Sequence, residues 1–264
     1  MMRLEYCRKK GKLDNRGSAL VSVLVITTFI TIIATTMLYM AAMNYQQKQT
    51  DYQNKQSFYG AEKALDEFKS ILVSDVQDAY LYAYNETSKN FLWRKDDLTA
   101  YFQESFMNAL NEKWKERVDD VTAADISGLQ SIASMNDGQK KLLLAVRNVM
   151  EDAEETEYND CAKYFYKIDS YGLYEDAAGA KKFALKGIQV KCTSGNYTTF
   201  LYTDICLEPP SVNWQTGFAD ATGATQEKAW ETIAFTDCVY YVNWHRADYD
   251  ERDNYNTDLG NPAS

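Results

Sequence analysis

The sequence predicts an α+β protein: a long N-terminal helix, a helical insertion, and an antiparallel sheet that closes the chain. Three observations predict it. Ser18 to Met43 is one apolar run without a charge, a proline or a glycine. An amphipathic pattern of three- and four-residue steps continues directly from it, with no proline before Pro209. From Cys161 onward the pattern changes to short aromatic and β-branched segments separated by turn residues, and helices followed by strands give segregated α and β layers.

The elements follow in chain order. Residues 1–17 form a basic leader, with Arg3, Arg8, Lys9, Lys10, Lys12 and Arg16 against Glu5 and Asp14. Residues 18–43 would make a helix of about 39 Å, longer than the roughly 30 Å hydrocarbon core of a bilayer. No small-x-small cleavage signal follows the run, which is too long for the apolar core of an ordinary secretory signal. Six cations lie before it and only Lys48 lies just beyond it. That asymmetry places the leader in the cytoplasm and the rest outside, as a single-pass membrane protein.

Residues 44–90 extend the helix. Tyr45, Tyr52 and Tyr59 recur every seven residues, and Phe58, Ala61, Leu65, Phe68, Leu72 and Val76 form an apolar stripe between charged positions. Such a stripe must be covered by protein. The expectation is that a globular domain covers its second half, leaving the first half for other subunits.

Residues 91–160 read as helical. Phe102, Phe106, Leu110, Trp114 and Val118 step by four, with Asp96 or Asp97 as N-cap. Asp137 would cap a second helix carrying Leu142, Leu143, Val146, Val149 and Met150. The acids of 151–157 mark a solvated helix end, since they lack the spacing and glycine of a calcium loop. Residues 161–264 contain the strands 162–167, 184–192, 197–208 and 235–245, and a polar tail from Arg246. Thr193-Ser194-Gly195-Asn196 supplies a hairpin turn.

Composition narrows the function. The net charge is −10 with a leader of +4, so everything after the leader sums to −14. An acidic exterior does not neutralise phosphates, which argues against nucleic acid as a direct partner. Twenty tyrosines and five tryptophans supply core and interface packing. Cys161, Cys192, Cys206 and Cys238 all fall in the exported part. They permit two disulfides in three connectivities, or four thiols in a reducing setting. A hairpin turning on Ser194-Gly195 sets Cys192 opposite Tyr197. A strand folded back through Asp176–Gly179 brings Cys161 near Cys192, which favours Cys161–Cys192 and Cys206–Cys238.

No zinc spacing, phosphate loop, nucleophile elbow or dinucleotide motif is present. The sole histidine, His245, reads as a surface or packing residue. No cofactor, metal site or catalytic group is expected.

The junction Asn15-Arg16-Gly17-Ser18-Ala19-Leu20-Val21 and its helix resemble the N-termini of type IV pilins and pseudopilins. PilX-type minor pilins, whose leader ends in glycine before a stretch such as GAALV, are similar. Tyr59-Gly60-Ala61-Glu62-Lys63-Ala64-Leu65 resembles the AAEAAL-like stretch of the exposed half of that helix, and the hairpin 184–208 looks like the sheet of such proteins. The resemblance implies cleavage after Gly17 by a cytoplasm-facing prepilin peptidase and N-methylation of Ser18. It also implies membrane storage, extraction by the pilus platform machinery, and packing with other pilin-like subunits in a cell-surface fibre. Major pilins carry glutamate at the fifth mature residue, where it pairs with a neighbour's terminal amine. Here that position is Ser22, and a hydroxyl supplies no counter-ion. The departure points to a minor subunit, at the tip or within the fibre, and the K-type tip pseudopilins of type II secretion share it. The alternative is a membrane-anchored extracytoplasmic binding protein that enters no fibre.

Overall fold

The computed structural model describes residues 15–94, 97–129, 135–151, 161–175, 181–210 and 233–247. It is α+β. The helices are α1 (Asn15–Asn90), α2 (Leu98–Asp119), α3 (Ala123–Gly128) and α4 (Asp137–Glu151). The strands are β1 (Phe165–Lys167), β2 (Ser170–Glu175), β3 (Lys181–Ser194), β4 (Tyr197–Leu207) and β5 (Val239–Ala247), the last entered through a 3₁₀ turn at Phe235–Cys238. The chain divides into two compact units between Tyr52 and Gln53.

The first unit contains the start of α1. Residues 19–49 are exposed throughout, including Val25 at 57% and Ile33 at 40%. The hydroxyls of Thr27, Thr28, Thr31, Thr35 and Thr36 donate back to carbonyls three or four residues earlier, at 2.7–3.0 Å. Each threonine thereby satisfies its own donor within the helix, so the segment presents methyl groups outward.

In the second unit the buried stripe of α1 runs Ala61, Ala64, Leu65, Phe68, Leu72, Val76, Ala79, Tyr80 and Ala83. It shares one core with Phe102, Phe106, Leu110 and Trp114 of α2, Leu142, Leu143, Val146 and Met150 of α4, and the inner face of the sheet. Phe68 sits edge-on to both Trp114 and Phe165, an arrangement that suits the ring quadrupoles.

The helix ends differ from the sequence expectation in detail. Asp97 holds the N-cap position of α2 but makes no side-chain cap bond, and Asp96 lies outside the described residues. The cap of α4 is Asn136 rather than Asp137. Asn136 Oδ1 accepts from the Gln139 N–H at 2.8 Å, and Gln139 Oε1 accepts from the Asn136 N–H at 3.1 Å, a reciprocal capping box. Thr122 and Asp125 do the same for the short α3.

The sheet is antiparallel in the order β1-β3-β4-β5, with β2 also pairing β3. The turn falls on Gly195-Asn196, because Ser194 pairs with Tyr197. Gly195, at φ +58, takes the first turn position, where a II′ hairpin needs positive φ. Cys192 therefore opposes Thr199, not Tyr197 as expected. The expected strand at 162–167 shortens to β1, and Phe235–Cys238 is a 3₁₀ turn rather than strand. The acids at 152–157, the fold-back at 176–179 and the tail from 248 lie outside the described residues.

Two irregularities shape the sheet. β3 carries an extra residue against β4 between Leu185 and Ile188. β5 carries one against β4 where Tyr202 pairs with His245 and Asp204 with Val242. Gly187 (φ +65) and Asn243 (φ +57) occupy these bulges, and each bulge switches the face of the residues beyond it.

Candidate functional site

The segment 19–43 is the chain's most distinctive surface. α1 is the one described helix long and apolar enough to cross a membrane. Its most apolar 18-residue window has a mean hydropathy of 2.2, and none of that window is buried. A core helix of similar composition would be covered by its own domain. This one is bare, and by length and composition it could cross a membrane. Gly17 and Ser18 fall in the first turn of α1, and Ser22 lies in the exposed stretch just beyond.

On the second unit the covered face of α1 begins at Ser57, whose hydroxyl meets that of Thr199 at 2.8 Å. The β3–β4 hairpin tip is tied to the same stretch through Ser194 Oγ donating to Gln56 Oε1 at 2.8 Å. Gly60 allows this close approach, because a Cβ on it would stand 2.7 Å from Cys192 Sγ.

Cys161, Cys192, Cys206 and Cys238, the four cysteines beyond the apolar segment, are all buried. The β3 bulge sets the face of Cys192, which follows Ile188 and Val190 onto the side shared by Phe183 and Leu185. Cys161, Cys192 and Cys238 belong to the helix-side core, while Cys206 packs with Tyr174 and Ala184 in a separate cluster. Cys206 opposes Ala184 on β3 and Tyr240 on β5, so it is directed away from Cys238. Burial pushes the Cys206 thiol up to about 12 and the Cys238 thiol up to about 11, each reinforced by nearby acids. Cys192 is raised for the same first reason. Protonated, buried thiols are poor nucleophiles.

Beside Cys206 the sheet carries a polar row. Asp204 is fully buried, and its carboxylate accepts from the Gly187 N–H at 2.7 Å and from Asn243 Nδ2 at 3.0 Å. The Lys186 ammonium lies 3.9 Å from the Tyr174 ring centroid. Burial pulls Lys186 down from its ordinary value, and Asp204 opposes that shift. Lys182 pairs with Glu208 at 2.6 Å, and Tyr240 donates to the same carboxylate. His245 stacks on Tyr202 at 4.9 Å and 7°, with Nδ1 3.1 Å from the Asn243 carbonyl. These side chains join adjacent strands. Among the described residues no three His, Cys, Asp or Glu side chains are grouped to hold a metal.

The sequence reading did not single out Asp204, Gly187 or Asn243. Their signal was available only as a glycine and an asparagine inside strand patterns, the usual mark of a bulge. Comparison with known proteins adds no relative: no protein-family model, curated protein or solved structure matches the chain.

Proposed function

We propose that this chain is a minor pilin-like subunit, a structural component of a type IV pilus-like fibre. The observation that carries the reading is the uncovered, uncharged helix segment 19–43, which begins two residues after the glycine that ends a basic leader. A prepilin peptidase cleaves after Gly17, and Ser18 becomes the methylated N-terminus. The apolar helix holds the subunit in the membrane and then packs among other apolar helices. Lipid tails and leucine-rich helix surfaces are similarly apolar, so the transfer costs little. Ser22 offers no carboxylate to a neighbour's terminal amine, which suits a minor or terminal position rather than the repeating one.

Intact-mass and N-terminal analysis of the mature protein tests this. Loss of residues 1–17 with a methylated Ser18 is expected, and Gly17→Ala should abolish the processing while membrane association persists. An unprocessed chain in a host with an active prepilin peptidase overturns the reading. Ser22 itself favours one competing account, a membrane-anchored binding protein that never joins a fibre. Ser22→Glu separates the two: it should raise incorporation along the fibre for a minor subunit and change nothing for an anchored binder.

A further inference from the structure

The chain holds two Asn-x-Thr tripeptides, Asn85-Glu86-Thr87 and Asn196-Tyr197-Thr198. That spacing is the acceptor pattern for asparagine-linked sugars, and it calls for a surface loop on an exported segment. The fold separates the two. Asn85 and Thr87 lie inside α1, where residues two apart do not face each other. Asn85 is exposed, but Thr87 is fully buried and its hydroxyl donates to the Ala83 carbonyl at 2.7 Å. An enzyme that must meet the amide and the hydroxyl together cannot do so on this helix.

Asn196 is placed differently. It follows Gly195 in the two-residue turn between β3 and β4, and both turn residues are exposed. Thr198 is partly exposed, and its hydroxyl lies 2.9 Å from that of Thr193, its cross-strand partner at the open end of the hairpin. The tip is fixed from behind: Ser194 donates to Gln56, and Gly195 approaches Gln53 closely. Asn196 itself stays open to solvent, two residues from an accessible hydroxyl.

We propose that Asn196 carries an asparagine-linked oligosaccharide, with Thr198 as the hydroxyl that the transferring enzyme recognises. The proposal rests on the outward placement of the second unit in the function proposed above. The donor is an oligosaccharide linked through phosphate to a membrane lipid. A bond forms between Asn196 Nδ2 and the anomeric carbon of the first sugar, and the bond from that carbon to the phosphate oxygen breaks. The lipid phosphate leaves with the electron pair, and the amide gives up one proton to a base of the enzyme. No oxidant or reductant is consumed.

The test takes the full chain from the membranes of the organism that makes it, and maps its peptides by mass. The peptide holding Asn196 should be heavier by a glycan and should release sugar fragment ions, while the peptide holding Asn85 keeps its plain mass. Asn196→Gln and Thr198→Val should each abolish the increment, and Thr198→Ser should retain it. A plain mass at Asn196, an increment that survives Asn196→Gln or Thr198→Val, or a glycan on Asn85 overturns the proposal. A plain mass on a chain cleaved after Gly17 removes the glycan and leaves the fibre reading standing. A glycosylated chain that is never cleaved does the reverse.

Discussion

Asp204 joins the two bulges of the sheet, one carboxylate oxygen accepting from the Gly187 backbone and the other from Asn243. Asp204→Ala would strand both donors beside the buried Lys186, and a loss of about 2–5 kcal/mol is expected from the urea midpoint. Gly60 is a second point of low tolerance. Gly60→Ala drives its Cβ into Cys192 Sγ and should cost about 1–3 kcal/mol, as overpacking does. Cys192→Ala in the same chain should restore most of the loss, and a double-mutant cycle in thermal denaturation measures that coupling. Burial also sets a pH dependence. Cys206 rises from 9.0 to about 12, and Tyr80 and Tyr240 each rise from 10.0 to about 12. The folded state holds these protons when the unfolded chain releases them, so their stabilisation is complete below about pH 9 and is lost as pH climbs towards 12. Melting temperature should fall across that window, and Cys206→Ala should flatten its lower part.

At the scale of elements, α2 is fastened to α1 by an apolar stripe and one charged cluster. Asp75, with a side chain 2% exposed, accepts from Arg117 at 2.5 and 2.8 Å and from Lys113 at 2.8 Å. Arg117 also lies over the Trp114 ring at 5.0 Å. Arg117→Ala removes the bidentate partner of a buried carboxylate and should destabilise by about 1–3 kcal/mol. Lys113 is 31% exposed and shared with Asp78, so Lys113→Ala should cost less than about 1 kcal/mol. Asn136→Ala should cost about 1 kcal/mol by opening the first turn of α4. Chemical denaturation of the three variants in parallel gives the order.

For the whole molecule, the decisive surface is the one the fold leaves bare. Residues 19–43 have no covering element among the described residues, and their side chains are uncharged. Val25→Lys, near the middle of the segment, should impair insertion by about 3–4 kcal/mol on the translocon scale. Carbonate extraction of membranes should then move the variant into the soluble fraction. Lysine at Tyr45, beyond the apolar run, should leave the partition unchanged.

The sequence by itself determined the α+β class, the apolar segment after the basic leader, the buried stripes of α1, α2 and α4, and the β3–β4 hairpin. These are local or periodic signals, read from residues a few positions apart. The tertiary structure decided what depends on partners far along the chain. It moved the cap of α4 to Asn136, which needed Gln139 to be recognised as its reciprocal partner. It placed the turn on Gly195-Asn196, and so set Cys192 against Gly60 rather than beneath Tyr197. It set Cys206 on the opposite face from Cys238, because Cys206 follows the regular alternation of β4 while Cys238 sits in the 3₁₀ turn that enters β5. Nor was the burial of Glu67 legible in α1, where the pattern only sets it among the charged positions between apolar ones; the packing of neighbouring elements is what covers it.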